Sequence, residues 1–436
     1  MKKYLLAMSL LLAAAHAPAQ VLPVREQANV INQLLAERFD TLLPDMMAQT
    51  GIDMWIVVSR EYNEDPVLKT MLPAEWLNAR RRTVLLFYRD PASGRVDKLA
   101  VARYNVGKSI AAAWDMQKFP NQWDALVALV KQRKPNRIAL DTSRHFGHAD
   151  GMDHTDYTEL LQALPPEYRS KVVSAEPLAV RWLETRTERE MQIYPQLVDA
   201  THKIIAEGFS ERVITPGITT SEDVVWWFRQ KIRDLGYDTW FHPSVEIQRQ
   251  GKGLADADII IPGDLLHVDI GITYLRLNTD VQQHAYVLKP GESAAPAALV
   301  QAFARANRLQ DILTAQFRQG RTGNQMLASA LALARAENLT PTIYTHPIGY
   351  HGHAAGPAIG MWDMQDGVPG SGEEALRYRT AYSIELNAAT ALPGYAEPVR
   401  IMLEEDAYFD QAGIRYIGGR QKELLLVPRR APHLEP

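Results

Sequence analysis

The chain has no cysteine among its 436 residues. Disulfide bonds, lipid attachment at cysteine and thiolate metal ligands are therefore excluded. Strong charge of one sign is missing too. With 47 basic and 51 acidic residues the net charge is −4, which gives no reason to expect nucleic acid or an anionic membrane surface as a partner. After the first twenty residues no apolar run is long enough to span a bilayer. The sequence shows no internal repeat and no low-complexity tract. What is present is an ordinary globular composition, 46% hydrophobic and 22% charged, in a chain too long for one core.

The first residues stand apart. Lys2 and Lys3 precede an apolar stretch from Tyr4 to Ala15, and Ala17-Pro18-Ala19 offers small residues at a cleavage position. This is the pattern of a secretory signal peptide over residues 1–19, so the mature chain is expected to be exported, to the periplasm or beyond. Residues 20–178 read as an α/β domain. An amphipathic helix at 24–48 is followed by short β-rich runs, among them Met54 to Ser59, Thr83 to Tyr88 and Arg137 to Asp141, with a helix over Gln122 to Gln132 between them. Glu176 to Glu184 reads as a connection, and Thr187 with Glu190 three residues on forms a capping box that opens the next helix. Residues 179–436 then read as α+β, with strands predicted at 265–274, 279–288, 382–390 and 399–409 in an antiparallel sheet.

Five residues of this second half carry chemistry: Asp269, Asp280, His346, Glu385 and Glu404. All lie in or at the ends of apolar strands, where an unpaired carboxylate is costly. Two like charges about 4 Å apart repel by roughly 4 kcal/mol at an effective dielectric near 20, so four carboxylates in one place need protons or cations. A hairpin turning near Tyr274 and Leu275 sets Asp269 directly opposite Asp280, eleven positions on. Thr345-His346-Pro-Ile-Gly-Tyr-His351-Gly-His353 packs three imidazoles into one glycine-bearing segment, with His351 expected to serve the fold. Taken singly, Glu385 and Glu404 are explained as well by an ion pair with Arg400.

In order and spacing these residues resemble the pita-bread metallopeptidases, which include methionine aminopeptidase, aminopeptidase P and prolidase. Asp269-Ile-Gly271 resembles that family's Asp-Ile-Gly strand, and His346-Pro-Ile-Gly349-Tyr-His-Gly-His353 resembles its His-Gly-Ile-Gly-x-x-x-His segment. Arg400-Ile-Met-Leu-Glu404-Glu405-Asp406 is similar to the prolidase Arg-Ile-Glu-Glu-Asp run, with two extra residues. An N-terminal α/β domain fits aminopeptidase P and prolidase and not the shorter methionine aminopeptidases. The resemblance implies a pita-bread α+β catalytic domain, a homodimer, and two divalent metal ions held by Asp269, Asp280, His346, Glu385 and Glu404. It makes Glu385 and His353 the catalytic pair and short peptides, commonly cut before proline, the substrates. An oxygen-rich ligand set with one imidazole suits Mn²⁺ and admits Co²⁺ or Zn²⁺.

The chain departs from that pattern around the substrate. The neighbourhood of an expected histidine reads Gln248-Arg249-Gln250-Gly251, leaving His242 as a displaced substitute, and Arg400 is a further candidate for the substrate carboxylate. Gln282-Gln283 replaces a Thr-Arg pair, and Glu385 is followed by Leu386-Asn387 in place of proline. Two rivals follow: a metal-free hydrolase of the same fold acting on a bond such as an amidine, and a peptide-binding relative without turnover.

Overall fold

The computed structural model describes residues 21–255 and 259–428. The expected signal peptide and its cleavage point lie outside them. The N-terminal domain is built on a mixed six-stranded sheet. Its central strand, Met54–Arg60, pairs antiparallel with Arg82–Arg89 on one side and parallel with Ile138–Leu140 on the other. These strands read as unbroken apolar runs because both faces are covered. Trp55, Val57, Leu85 and Phe87 point into one core, closed by helices Leu43–Thr50 and Glu176–Glu184. Met54, Ile56, Val84 and Leu86 point into the other, closed by helices Gln122–Arg133 and His154–Ala163.

Two expectations are corrected here. The segment Glu176–Glu184 is a helix. Pro177 occupies its first turn, and Leu178, Val180, Trp182 and Leu183 are buried in the N-terminal core, so that core runs past the expected boundary at residue 178. Arg38 then ties the two domains together. Its buried guanidinium donates to Glu190 at 3.0 Å and to the Thr185 carbonyl at 2.8 Å, and stacks over the Trp182 ring at 4.5 Å.

A buried acid pair sits in this first domain. Asp65 caps helix Pro66–Met71 through Oδ1, accepting from the amides of Val67 and Leu68, while Asp141 Oδ1 accepts from Trp55 Nε1 at 2.7 Å. The two remaining oxygens, Asp65 Oδ2 and Asp141 Oδ2, are buried and have no hydrogen-bond partner. Burial pushes the Asp65 carboxyl up to about 6 and Asp141 well above its ordinary value, where the neighbouring Asp65 charge adds to the effect. Both folded-state values exceed the unfolded ones, so this contribution to stability is complete below about pH 4 and is lost as pH rises through about 6. Asp141→Asn keeps the Trp55 bond and supplies a permanent donor to Asp65. It is expected to raise stability at pH 7.5 by about 1–3 kcal/mol, since each pKa unit is worth about 1.4 kcal/mol, and to flatten the slope between pH 4 and 7. Urea unfolding at the two pH values measures this; equal stabilisation at both would contradict it.

The second domain carries four long helices, Glu188–Gly208, Ser221–Asp234, Ala297–Thr314 and Gly323–Ala336. None of the described helices is long and apolar enough to cross a membrane. The first pair packs on Val245, Leu266, Val268 and Val281, the second on Ile343, Leu386, Ile401 and Phe409. Their apolar stripes cover one side of a bent surface that is antiparallel except where Val281–Val287 pairs with Leu425–Val427. That surface is not continuous. Three strand paths break at the same level: Thr340–Ile343 resumes at His346–Ile348, Thr380–Ser383 at Leu386–Thr390, and Val399–Leu403 at Asp406–Asp410. Each half belongs to a different sheet. The single strands expected at 382–390 and 399–409 are thus each two strands with a seam between them.

Candidate metal centre

The seam holds the five residues. Glu385 and Glu404 are among the residues at the breaks, and His346 is the first residue after one. Backbone bonds carry pairing across the gaps: Tyr344 N donates to the Glu385 carbonyl at 3.1 Å, and Ile384 N to the Glu405 carbonyl at 3.0 Å. Asp269 lies on the neighbouring strand Leu265–Ile270, and Asp280 just ahead of Val281–Val287.

The pairing of those two strands differs from expectation. Asp269 faces Gln282, not Asp280. The tight turn falls on Leu275 and Arg276, at φ 52° and 66°, one position beyond the expected centre, and each one-residue shift of a turn moves the register by two. Asp280 keeps its place on the same face and reaches the cluster from the strand end.

The acids and the imidazole converge in overlapping triads: Asp269, Asp280 and Glu404; His346, Glu385 and Glu404; Asp280, His346 and His353. In each, one ligand atom per residue lies within 4.8 Å of the others. Glu404, not Glu405, faces the cluster. Glu405 turns away to His202 Nε2 at 2.6 Å and Gln283 Nε2 at 2.9 Å. Burial, then the charge of Glu404, pushes the carboxyls of Asp269, Asp280, Glu385 and Asp406 well above the ordinary carboxylate range.

His346 supplies the test of whether a cation fits. Its Nδ1 is within 3.0 Å of the Pro347 carbonyl, so Nδ1–H donates there. Nε2, which carries the lone pair in the neutral ring, is buried and has no hydrogen-bond partner. It faces Asp280 Oδ2 at 3.7 Å and Glu404 Oε1 at 3.6 Å, acceptors all three. Asp269 Oδ1 is likewise buried and unpartnered. One imidazole nitrogen and several carboxylate oxygens converging on one place are the donor set a divalent ion requires.

His353 borders this cluster. Its ring stands edge-on to His346 at 4.8 Å and to Trp240 at 5.1 Å, with Tyr344 at 5.8 Å. Trp240 fills the space where Gly352 has no Cβ; a Cβ there would meet the indole at 2.3 Å. Removal from water, then the adjacent His346, brings the His353 imidazole down to about 4, so it is neutral at pH 7. The His351 ring meets that of His148 in the N-terminal domain at 4.7 Å, tilted by 46°.

Two expected substrate residues are not brought to the cluster. His242 is exposed, packs on Trp226 at 4.9 Å and meets Arg229 at 3.5 Å; the loop after helix Ser221–Asp234 turns it toward that helix. Arg400 is exposed, and it makes no ion pair with Glu385 or Glu404; the side-chain contact it makes is to Met402 Sδ at 3.4 Å. Gln248 is buried and exchanges both amide bonds with the backbone of Arg400, a structural role. Other residues at the site escaped sequence reasoning: Ser383, donating to Glu404 Oε1 at 2.6 Å; Asp406, accepting from the Asp280 amide at 3.3 Å; Tyr344; and Gln282.

An α+β surface bent over two helix pairs, with carboxylates and one histidine at its seam, defines the pita-bread class of metal-dependent hydrolases. Residues 195–414 match the model of Metallopeptidase family M24, and the chain belongs to that family. No curated protein sequence matches it significantly. Solved structures share the fold at low identity. An X-Pro aminopeptidase from Thermotoga maritima MSB8 superposes with a TM-score of 0.63 at 16% identity, covering 88% of this chain and 100% of that one. A putative aminopeptidase P from Bacillus anthracis gives 0.62 at 11%, covering 90% and 96%. A prolidase from Pyrococcus furiosus gives 0.57 at 13%, covering 87% and 100%.

Proposed function

We propose that this metallopeptidase hydrolyses short peptides at Xaa-Pro bonds with two divalent ions, Mn²⁺ in first place, held by Asp269, Asp280, His346, Glu385 and Glu404. The observation that carries the metal reading is the unpartnered His346 Nε2 aimed at Asp280 and Glu404. The names of the structural neighbours support the substrate. When bound, such ions lower the pKa of a shared water to about 7 and supply a nucleophile at neutral pH.

The chain's own groups provide the rest. Glu385 sits at the cleft with its carboxyl pushed up by burial, so it accepts a proton from the attacking water and returns it to the leaving amine. His353, neutral and open to the cleft, donates N–H to the scissile carbonyl as negative charge develops on its oxygen. Trp240 and Tyr344 flank His353.

The test is digestion of matched Xaa-Pro and Xaa-Ala dipeptides and tripeptides by the Mn²⁺-loaded protein. Release of the N-terminal residue from the proline series, at a kcat/KM at least about tenfold above the alanine series, is expected; a factor of ten is only about 1.4 kcal/mol of discrimination. Equal rates would remove the proline preference and leave the peptidase. No cleavage of either series by protein shown to contain metal would remove the peptide substrate.

A further inference from the structure

We propose that Gln282 is a positioning residue that holds Glu385 and Glu404 in their ligating arrangement, in the role of a built-in spacer between two acids that would otherwise repel. The inference rests on the two-ion reading and adds a residue to it.

Gln282 occupies a crossing point. On one side it pairs with Asp269 across the strands Leu265–Ile270 and Val281–Val287. On the other it forms an isolated bridge with Glu404, its amide donating to the Glu404 carbonyl at 3.0 Å and its carbonyl accepting from the Glu404 amide at 3.2 Å. Its side chain therefore projects among the acids. The Nε2 group donates to Glu385 Oε1 at 3.0 Å and to Glu404 Oε2 at 2.7 Å. Both of its hydrogens are used, one for each carboxylate, and bonds from an amide to charged acceptors are the stronger kind.

The amide's orientation is not free. In their ionised, ligating form both carboxylates only accept, so the NH₂ end must face them and Oε1 must face away. Oε1 lies 2.9 Å from His267 Nε2, which donates to it and locks the amide in that sense. His267 is itself buried, on the strand face that carries Asp269 two residues on. With Gln282 in place, Oε1 of Glu385 and Oε2 of Glu404 are engaged and Ser383 holds Oε1 of Glu404. Both carboxyl planes are set before any ion arrives, as a ligand shell requires of its supporting residues.

The adjacent Gln283 gives the contrast. It is equally buried and donates to Glu405 Oε1 at 2.9 Å, on the far side of the same strand. Replacing either glutamine by methionine, of similar size, removes one buried amide. Only Gln282 touches the ligands.

The experiment is isothermal titration of Mn²⁺ into metal-stripped protein, with melting temperatures of the same samples. Wild type is expected to take up two ions. Gln282→Met is expected to weaken the ion held by His346, Glu385 and Glu404 by about 10–100-fold, the range for supporting residues of metal sites. Gln283→Met is expected to lower the melting temperature without moving either affinity. His267→Phe, which frees the amide to flip, is expected to weaken the same ion as Gln282→Met and guards against a misfolded first variant. Unchanged Mn²⁺ affinity in both Gln282→Met and His267→Phe, or an equal loss in Gln283→Met, overturns the positioning role and leaves the metal reading standing. A wild type that binds no Mn²⁺ removes both.

Discussion

Glu404→Gln is expected to empty the site of metal and cut peptide hydrolysis at least about a thousand-fold, and at the same time to make the metal-free protein more stable. The two effects have opposite signs because Glu404 is shared. It belongs to the triad with Asp269 and Asp280 and to the triad with His346 and Glu385. Asp280 is shared as well, with the triad of His346 and His353, but Glu404 is the acid common to the Asp269–Asp280 group and the His346–Glu385 group. Losing its charge would take a carboxylate from both groups that could hold an ion and leave a neutral amide, a poorer ligand, in its place.

The stability gain follows from the electrostatics. After burial, Glu404 is the largest cause of the raised carboxyl pKa at Asp269, Asp280, Glu385 and Asp406. Neutralising it relieves four repulsions at once. A single full pair at 4 Å is worth roughly 4 kcal/mol at a dielectric near 20. Protons taken up by the raised carboxyls already absorb part of that, so about 1–2 kcal/mol of net gain is expected, or a few degrees in melting temperature. The pH dependence has a sign as well. These carboxyls have higher pKa values folded than unfolded, so their contribution to the metal-free fold is complete in acid and is lost as pH climbs above the ordinary carboxylate range. Melting in EDTA should therefore fall from pH 5 to pH 8 in wild type, and fall less in Glu404→Gln. Full metal content in the variant, or a lower melting temperature in EDTA, would show that Glu404 is not the shared acid.

The residues that cluster were legible because each broke a local rule. A lone carboxylate inside Ile384-Glu385-Leu386 or Leu403-Glu404 conflicts with its apolar strand, and such conflicts mark functional sites. The seam itself was not legible. Val399 to Phe409 has one uninterrupted β-like pattern, and only tertiary pairing shows that it changes sheets at Glu404-Glu405. The register of Asp269 and Asp280 was missed for a local reason. The turn residues Leu275 and Arg276 adopt positive φ, yet neither is the glycine, asparagine or aspartate that signals such a turn. His242 was misplaced because nearness in sequence to a site says nothing of direction, and the loop turns it to Trp226. Gln282 stood out only as half of a Gln-Gln pair in place of Thr-Arg and was set beside the substrate; its two carboxylate partners emerge only from the tertiary structure. The helix Glu176–Glu184 did carry signals, Pro177 at its start and an apolar face through Trp182, that its position between domains obscured.

His353→Ala is expected to lower kcat by about 10²–10³-fold, the cost of one lost donor to a developing oxyanion, with KM little changed. The geometry leaves two roles open to this ring, and they separate cleanly. With Asp280 and His346, His353 forms a third triad of ligand distance, so it has the reach of a metal ligand. Its surroundings favour the donor role. His346 already presents its Nε2 lone pair to the acids. The His353 ring stands perpendicular to that imidazole, at 89°, and is exposed to the cleft where a substrate carbonyl would lie. With its pKa held down to about 4, it carries a single N–H at neutral pH and has a proton to share but no charge to repel a neighbouring cation. Metal analysis of His353→Ala decides between the roles: two ions retained with kcat lost marks the donor, and one ion lost marks the ligand. His353→Gln sharpens the distinction, because an amide can donate a hydrogen bond but makes a poor ligand beside carboxylates. It should recover part of kcat if His353 acts on the carbonyl and none if it holds metal. The pH profile adds a third reading. A neutral donor with a pKa near 4 gives no inflection between pH 6 and 8, so a wild-type kcat that rises through that window must be reporting on another group, such as a metal-bound water with a pKa of about 7.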